Sequence, residues 1–269
     1  MSELKKGRII KGIGGFYYVN DGIHTYECKA SGRFRKEKIT PMVGDYVLFD
    51  AKKDYVEAIE QRANSLIRPS VANIDQIMIV VSPINPAPDF FLIDKLTALA
   101  ISKGITPIIA INKIDLKNYK ELEQIYKKIF PIIKLAAKKH KNISKIKRAL
   151  KGKTTALAGN SGVGKSTIIK ALGLDAQEGE ISKIQRGKHT TRHVELMQLN
   201  KKTFVMDTPG FSMLDTIELQ GDLKNYFPEI ANEKCLFSDC KHTKNSKGCI
   251  VKEKMSPMRY ASFQSLIKE

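Results

Sequence analysis

One glycine-rich stretch constrains this chain more than any other feature. It reads Gly159-Asn160-Ser161-Gly162-Val163-Gly164-Lys165-Ser166, continues into Thr167, and fits the pattern G-x-x-x-x-G-K-[ST]. Glycines let several backbone N–H groups converge on the dense negative charge of nucleotide phosphates. In this pattern the lysine contacts the β- and γ-phosphates and the serine hydroxyl ligates Mg²⁺. The alternative is a glycine turn that fits the pattern by chance.

The residues on either side favour a phosphate-binding loop. Thr154 to Ala158, directly before it, is short, fairly apolar and typical of a strand. After it, Ile168, Ile169 and Leu172 recur at helical spacing, which predicts a helix whose N-terminus faces the phosphates.

A second motif predicts which base is bound. Asn112-Lys113-Ile114-Asp115 is N-K-x-D and follows the apolar run Ile105–Ile111, which reads as a buried strand. A carboxylate at Asp115 can accept hydrogen bonds from the N1–H and the amine of guanine, a donor pair that adenine lacks. We therefore expect GTP, and Asp115 argues against an ATPase. The alternative is a polar loop that closes the strand.

A third motif and a polar loop complete the set. Asp207-Thr208-Pro209-Gly210 is D-x-x-G; Asp207 would hold Mg²⁺ through water, and the N–H of Gly210 would sense the γ-phosphate. The loop Gly187-Lys188-His189-Thr190-Thr191-Arg192 offers two threonines as Mg²⁺ ligands, and we favour Thr191 over Thr190. Many GTPases place a water-orienting glutamine after D-x-x-G, but Phe211 stands here. His189 is our candidate for that role; alternatively it packs or binds a partner.

The order of these motifs is unusual. GTPases normally run phosphate loop, switch threonine, D-x-x-G and then N-K-x-D, whereas here N-K-x-D comes first. A sheet keeps the same site when its old termini are joined and the chain is opened elsewhere. The sequence therefore predicts a circularly permuted α/β P-loop GTPase domain over residues 69–220.

The remaining residues predict two flanking domains. Residues 1–68 read as short strands, with Asn20-Asp21-Gly22 as a hairpin turn, and suit a small barrel such as an oligonucleotide-binding (OB) fold. Arg33, Arg35, Lys36 and Lys38 would lie in one loop that meets phosphates or is simply solvated. Residues 221–269 form the tail, and Met258–Ile267 predicts a short helix.

The tail contains a set of metal-ligating residues. Cys235, Cys240, His242 and Cys249 lie within fifteen residues, and three thiolates with one imidazole suit tetrahedral Zn²⁺. Four protein ligands leave no open position, so we expect one structural zinc per chain. The alternative is reduced cysteines beside a surface histidine. Cys28 is isolated and is expected to be a strand residue.

Charge and hydropathy limit the possible partners. The chain of 269 residues carries 46 Lys plus Arg against 28 Asp plus Glu, a net charge of +18. Such an excess favours a polyanionic partner, nucleic acid first, although a lysine-rich proteome would give the same signal. The apolar runs are too short to span a bilayer, and Met1–Lys6 lacks the apolar stretch of a signal peptide. We expect a cytoplasmic protein without a membrane partner.

Taken together, these residues resemble one known family, the ribosome small-subunit-dependent GTPase A family (RsgA, also called YjeQ). Gly159 to Thr167 resembles its G-x-S-G-V-G-K-S loop, and Gly187 to Thr191 resembles its G-[RK]-H-T-T switch. The resemblance implies an OB barrel, a permuted GTPase and a zinc tail. It also implies a function: GTP hydrolysis with Mg²⁺ on the small (30S) ribosomal subunit and its rRNA during late maturation, stimulated by the subunit.

Two points stay open beside that resemblance. The family usually has Ser-Ala where Leu135-Ala136-Ala137-Lys138 stands here, and we expect a backbone contact to guanine from Ala137. A second function also remains, a nucleotide-gated RNA-binding assembly factor whose hydrolysis is incidental. The presence of His189 beside the two threonines argues against it. We expect a monomer.

Overall fold

The computed structural model describes residues 4–117, 119–174, 194–207, 219, 221–243 and 245–268. The predicted switch residues His189, Thr190 and Thr191, and also Gly210 and Phe211, lie outside the described residues. Within the described part, the chain forms a barrel, a helix-flanked sheet and a C-terminal module.

A closed barrel occupies the N-terminal part of the chain. Its first strand pairs antiparallel with both the second and the fourth strand, and the third strand runs parallel to the fifth, which closes the ring. This is the arrangement expected of an OB-like fold. The barrel elements are β1 (Leu4–Ile13), β2 (Phe16–Asn20), β3 (Thr25–Ala30), α1 (Gly32–Lys36), β4 (Tyr46–Asp50) and β5 (Tyr55–Ile59).

The predicted hairpin turn is present between β2 and β3. The Asp21 Oδ1 atom accepts hydrogen bonds from the N–H groups of Ile23 (2.9 Å) and His24 (2.7 Å), and Gly22 has φ +96°. An aspartate that binds the backbone two or three residues ahead fixes a turn, and glycine tolerates the left-handed conformation. Cys28 is a fully buried strand residue, as expected.

The basic loop predicted after β3 is in fact partly helical. Arg33, Arg35 and Lys36 belong to α1, and Phe34 between them is only 5% exposed. One apolar side chain that packs into the barrel core is enough to fix this single helical turn against the barrel. The cations therefore project from a helix, and Arg33 pairs with Glu37 at 2.6 Å.

A second sheet follows, which we call the nucleotide-binding sheet (β8 to β13). Its order is β10-β9-β8-β11-β13-β12; the first five strands are parallel, and β12 is antiparallel to β13. A two-stranded ribbon of β6 (Ser65–Leu66) and β7 (Val71–Ala72) connects the barrel to it. The strands of the nucleotide-binding sheet are β8 (Gln76–Val81), β9 (Thr106–Ile111), β10 (Ile132–Lys134), β11 (Thr154–Ala158), β12 (Glu195–Asn200) and β13 (Thr203–Asp207).

Helices cover both faces of this sheet, which explains the unbroken apolar run of β8. Ile77 and Ile79 of β8 pack with α2 on one face, while Met78 and Val80 pack with α4 and α5 on the other. The helices are α2 (Phe90–Ser102), α3 (Lys120–Tyr126), α4 (Ile143–Leu150) and α5 (Lys165–Leu172).

The barrel is continuous with the nucleotide-binding sheet. Lys11 of β1 lies opposite Glu195 of β12 in an antiparallel pair, so that within the described residues eleven strands form one hydrogen-bonded sheet. Backbone pairing therefore joins the barrel to the edge strand of the nucleotide-binding sheet.

The C-terminal module packs on the back of α2. It contains α6 (Val251–Lys254) and α7 (Pro257–Lys268), close to the predicted helix. Phe227 and Phe263 meet edge to face at 5.1 Å and share a buried cluster with Ala98 of α2. Among the residues described, no helix combines the length and the apolar character needed to cross a bilayer.

Candidate nucleotide-binding site and metal centre

The glycine-rich stretch forms a tight loop between β11 and α5. Gly159, Gly162 and Gly164 have φ of +126°, +80° and +102°, which only glycine adopts easily. A side chain would also clash: a Cβ atom at Gly159 would lie 2.2 Å from the carbonyl oxygen of Val80. The loop can therefore turn its N–H groups inward, and α5 begins directly after it at Lys165.

Lys165 is held across the mouth of this loop. Its Nζ atom donates to the carbonyl oxygens of Gly159 (2.6 Å) and Asn160 (3.0 Å). Burial lowers the pKa of Lys165, and the carboxylate of Asp207 opposes that shift. An ammonium group whose charged form is disfavoured by burial gains from an added anion such as a phosphate.

Asn112 connects the base motif to the phosphate loop. Its amide Nδ2 donates to the carbonyl oxygen of Val163 at 3.0 Å, and its Oδ1 accepts from the N–H of Ala137 at 3.0 Å. The side chain is 2% exposed, so both bonds are shielded from water. Gly164 lies so close that a Cβ there would be 2.3 Å from this amide. Asn112 thus fixes the phosphate loop and the base loop relative to each other.

Lys113 makes a second connection between the same loops. Its Nζ atom donates to the carbonyl oxygens of Gly162 (2.8 Å) and Asn85 (2.6 Å). Asn85 lies in the loop after β8, whose Pro86 approaches Gly162. With its Nζ atom held in this way, the aliphatic chain of Lys113 can cover one face of a base.

Asp115 lies at the same edge of the sheet and is paired with Lys139. Its Oδ2 atom is 3.2 Å from the Lys139 Nζ atom, and the two side chains are 16% and 66% exposed. Desolvation acts to raise the pKa of Asp115, but its own backbone N–H and Lys139 outweigh it, so that the pKa is lowered. The carboxylate is therefore ionised at neutral pH and can accept hydrogen bonds.

Asp207 ends the neighbouring strand β13. In the register of the parallel pair it lies beside Leu157 of β11, two residues before Gly159. Ser166 lies in the first turn of α5. A carboxylate and a hydroxyl at one sheet edge are the oxygen ligands that Mg²⁺ prefers, so these residues fit such an ion.

The predicted zinc ligands come together in the C-terminal module. The Cys235 and Cys249 Sγ atoms lie 3.4 and 3.7 Å from His242 Nδ1, and the ligand atoms of all four residues, Cys240 included, lie within 4.8 Å of one another. Tetrahedral zinc with Zn–S near 2.3 Å and Zn–N near 2.0 Å separates sulfur from nitrogen by about 3.6 Å. The four residues therefore fit one zinc ion.

The chain around the cluster supports this geometry. Gly248 turns with φ +64° against Leu236, and Gln264 of α7 donates a hydrogen bond to the carbonyl oxygen of His242. Burial lowers the pKa of His242, which favours the neutral imidazole that ligates metals. Burial raises the pKa of the Cys249 thiol to about 11, a shift that a bound cation would reverse.

Sequence reasoning missed some contacts of the base loop. The expected guanine contact from the N–H of Ala137 is not available, because that N–H already donates to Asn112. The ion pair of Asp115 with Lys139 was also not foreseen. In the sequence this ion pair is indicated only by Lys138-Lys139, which follows two alanines. Because cations are common throughout this chain, two adjacent lysines do not single out a partner for Asp115.

Comparisons with known proteins agree with this geometry. A sequence model of the RsgA GTPase family matches residues 59–217, and one of the RsgA N-terminal domain matches residues 6–59. The chain is 41% identical to the small ribosomal subunit biogenesis GTPase RsgA of Alkaliphilus metalliredigens, covering 99% of this chain and 98% of the relative. It is 43% identical to RsgA 2 of Oceanobacillus iheyensis, a protein named for the same role, covering 97% and 94%.

Solved structures show the same architecture. YjeQ from Thermotoga maritima superposes with a TM-score of 0.81 at 31% identity, covering 99% of this chain and 98% of the other. YloQ, described as a circularly permuted GTPase, gives a TM-score of 0.77 at 31% identity over 99% and 94%. These similarities agree with the permuted order of the motifs, with the barrel, and with the sheet edge at which the phosphate loop, the base motif and Asp207 lie. The chain belongs to the RsgA GTPase family and is a GTP-hydrolysing enzyme.

Proposed function

We propose that this enzyme binds the small (30S) ribosomal subunit and hydrolyses GTP there during late subunit maturation, stimulated by the subunit. The observation that carries the proposal is the meeting of the phosphate loop and the base motif through Asn112 and Lys113. The names of the relatives give the particle, and the net charge of +18 suits an rRNA partner.

The chemistry requires charge neutralisation and positioning more than covalent steps. In our proposal Lys165 and the loop N–H groups, from Gly159 to Thr167, bind the phosphates. Ser166, a switch threonine (Thr191 in preference to Thr190) and Asp207 hold Mg²⁺, which when bound neutralises charge on the β- and γ-phosphates. The N–H of Gly210 senses the γ-phosphate.

Base selection falls to Asp115 and the residues around it. Asp115 accepts the two guanine donors, and Lys139 moves aside or remains at the rim of the pocket. Because Ala137 donates to Asn112, we assign the contact to the guanine carbonyl to the next backbone N–H, that of Lys138.

The flanking parts bind rRNA and complete the assembly. We assign residues 1–68 to an RNA-binding barrel, 69–220 to the permuted GTPase domain and 221–269 to a zinc module. The zinc would be structural, since Cys235, Cys240, His242 and Cys249 supply four ligand atoms and leave no open position. The protein acts in the cytoplasm and as a monomer.

The switching step is tested by titrating GTP turnover with purified small subunits. Phe211 stands where many GTPases have a catalytic glutamine, so the free enzyme should be slow until a partner orders the switch and His189. We expect at least about tenfold stimulation, the low side of what a positioned acid–base group supplies. His189→Ala should lose most of the stimulation yet bind GTP nearly as well. If small subunits stimulated His189→Ala as strongly as the parent protein, another group would orient the attacking water.

The competing function is an RNA-binding assembly factor whose hydrolysis is incidental. Single-turnover hydrolysis measured with and without subunits separates the two. Our proposal expects acceleration that weakens as salt rises, because phosphate contacts release counterions. If subunits bound the GTP form of the protein but left its hydrolysis rate unchanged, the result would favour the assembly factor with incidental hydrolysis.

Base choice is tested by replacing one carboxylate. Asp115→Asn exchanges an acceptor for a donor, so guanine loses its partner while xanthine, with a carbonyl in place of the amine, gains one. We expect GTP affinity to fall by at least about tenfold, one strong hydrogen bond, and xanthosine triphosphate to become a substrate. Lys139→Met is the matched control: it removes the cation beside Asp115 without changing the acceptor, and it should retain the preference for GTP. Unchanged GTP affinity in Asp115→Asn would remove the assignment.

A further inference from the structure

Arg8 lies where the barrel, the connecting ribbon and the nucleotide-binding sheet meet. It belongs to β1, yet only 6% of its surface is exposed. Its guanidinium donates to the carbonyl oxygens of Gly44 (3.2 Å, barrel) and Asn73 (3.1 Å, directly after the ribbon) and to the Thr154 Oγ1 atom (2.9 Å, β11). One side chain therefore bonds to the barrel, to the sheet and to the segment that links them.

Two aromatic rings enclose the same guanidinium. The rings of Tyr46 (β4) and Phe204 (β13) each lie 4.8 Å from the Arg8 Cζ atom. A cation between two ring faces is attracted to both, and the planar guanidinium suits this position better than an ammonium group does. Through Phe204, Arg8 thus also contacts β13, which like β11 leads to the nucleotide site.

The two sheet residues that Arg8 contacts occupy corresponding positions. Thr154 begins β11, Phe204 lies near the start of β13, and the two are partners in the parallel register. The carboxyl end of β11 leads into the phosphate loop at Gly159, and the carboxyl end of β13 carries Asp207. Four or five residues of strand span about 15 Å, so a shift at Arg8 is carried along two rigid strands to both phosphate-binding elements.

The surroundings of this contact leave room for such a shift. A cleft of about 500 Å³ opens beside Arg8 between the barrel and the sheet, lined by polar side chains that include Lys6, Gln198 and Lys202. Apolar packing also joins the two parts, because Ile9 of the barrel belongs to the same buried cluster as Leu196 of the sheet. At this cleft Arg8 supplies the polar part of the junction. The segment between the ribbon and β8 is held to the same point, because Asp75 Oδ2 accepts a hydrogen bond from the N–H of Thr154 at 2.7 Å.

We propose that Arg8 is a positioning residue that couples the barrel to the nucleotide site, through Thr154 on the strand of the phosphate loop and Phe204 on the strand of Asp207. Coupling between two sites is reciprocal, so a bound nucleotide stabilises the barrel as much as a ligand of the barrel influences nucleotide binding. The inference rests on the nucleotide site proposed above and needs no ribosomal subunit for its test.

The test is amide hydrogen exchange of the full-length protein with and without GDP and Mg²⁺. In the parent protein we expect GDP to slow exchange in peptides of the phosphate loop and also, by about threefold to tenfold, in β1 and β4 of the barrel. Arg8→Lys keeps the charge but loses the planar fork, and Thr154→Val keeps the branched shape but loses the acceptor. In both variants the phosphate loop should still be protected by GDP while the barrel no longer responds.

Arg62→Lys is the matched control. Arg62 is also a hydrogen-bonded arginine, but its guanidinium bonds to Asp45 (2.7 Å) and to the carbonyl oxygen of Thr40 (2.7 Å) in the barrel. Its loss can loosen the barrel, yet the response of the barrel to GDP should persist. This separates coupling from simple destabilisation, which raises exchange with and without nucleotide alike.

Three results would overturn the inference. The first is a barrel that GDP protects equally in Arg8→Lys, Thr154→Val and the parent. The second is a parent barrel that does not respond although the phosphate loop does. In these cases the nucleotide site stands and only the coupling fails. The third is a parent phosphate loop that GDP leaves unprotected, which would overturn the nucleotide site and with it the coupling.

Discussion

The barrel and the C-terminal module are both joined to the nucleotide-binding sheet domain by a buried arginine, but the two arginines have different partners. Arg8 of the barrel donates to carbonyl and hydroxyl oxygens. Arg259 of α7 is 1% exposed and donates to the carboxylates of Asp94 on α2 and Glu229. The first contact joins a charge to neutral dipoles, and the second is a buried ion-pair network.

The pKa shifts express this difference. Burial lowers the pKa of Arg8. Burial acts in the same direction on Arg259, but Glu229 and Asp94 outweigh it, and the pKa of Arg259 is raised. Burial raises the pKa of Asp94 to about 6, against the opposing effect of Arg259. Asp94 therefore depends on Arg259 to stay ionised in a dry site. The hydrogen-bond partners of Arg8 carry no charge, and the carboxylates of Asp75 and Asp45 offset the effect of its burial only in part.

The barrel and the C-terminal module also differ in the size of the apolar cluster to which they belong. The buried residues of the barrel, among them Ile9, Val19 and Phe49, belong to one large cluster that continues into the nucleotide-binding sheet domain. The buried cluster of the C-terminal module is small and includes Ala98 of α2. A module with so little core of its own needs a metal and a partner surface to stay folded.

Removal of zinc should produce the largest difference in stability between the C-terminal module and the barrel. Structural zinc contributes on the order of 10 kcal/mol of apparent binding free energy in small modules at neutral pH. We expect about one zinc per chain by elemental analysis, lost in Cys240→Ser. Hydrogen exchange in α7 should then become fast, while the barrel stays protected. A stoichiometric metal retained by Cys240→Ser would point to other ligands.

Loss of Arg259 should have the next largest effect. Arg259→Met leaves Asp94 as an uncompensated buried charge, which typically costs about 3–5 kcal/mol. We expect the protection of α7 against hydrogen exchange to fall by that amount. The double variant with Asp94→Asn should recover a large part, because it removes the charge. No recovery would mean that the packing of Arg259 on Tyr126, Phe130 and Phe227, rather than its charge, is what matters.

The same variant has a predictable pH dependence. An acid whose pKa is raised by folding favours the folded state most below its unfolded pKa, about 4, and that advantage is lost as pH rises through the folded pKa. Without Arg259 the pKa of Asp94 should exceed its value of about 6 in the parent. The stability of α7 in Arg259→Met should therefore fall between pH 5 and pH 8 more steeply than in the parent. A flat profile would show that Asp94 is solvated in the variant.

Replacing Arg8 should cost less than replacing Arg259. Arg8→Met takes no hydrogen-bond partner from a carboxylate, since the buried Asp45 nearby stays paired with Arg62. The carbonyl oxygen of Gly44 keeps a second donor, the amide of Asn73 at 3.1 Å. We expect a loss of about 1–3 kcal/mol from the remaining hydrogen bonds and the ring contacts, measured as exchange in β1. A cost equal to that of Arg259→Met would contradict the contrast between neutral and charged partners.

The sequence predicted those parts of the site that local chemistry determines. The phosphate loop needs glycines at positive φ, and the base motif must follow a buried strand, so both could be located from the residues alone. The zinc ligands could be identified because cysteine and histidine at that spacing have few other uses. The permuted order of motifs was visible as well, since it is a property of the chain and not of the packing.

The contacts between distant parts could not be predicted. Nothing near Arg8 marks it as a junction residue, because Thr154 is 146 positions away and cations are common in this chain. Arg259 is equally inconspicuous and meets Asp94 across 165 positions. The sequence predicts a loop where α1 lies, because four cations surround Phe34, the single apolar residue that packs into the barrel. In each case the deciding partner is supplied by tertiary structure.

The smallest effect should come from a second polar contact between the barrel and the nucleotide-binding sheet, the pair of Lys11 and Glu195. Lys11 and Glu195 approach to 3.2 Å, but their side chains are 18% and 43% exposed. A pair so open to water contributes about 0–1 kcal/mol, and its backbone pairing does not depend on the side chains. Lys11→Met should therefore change exchange in β1 and β12 little, and a double-mutant cycle with Glu195→Gln should give a coupling energy below about 1 kcal/mol. If Lys11→Met instead loosened the barrel more than Arg8→Met, the barrel would be held at its exposed edge, and the contrast between the two buried arginines would lose its meaning.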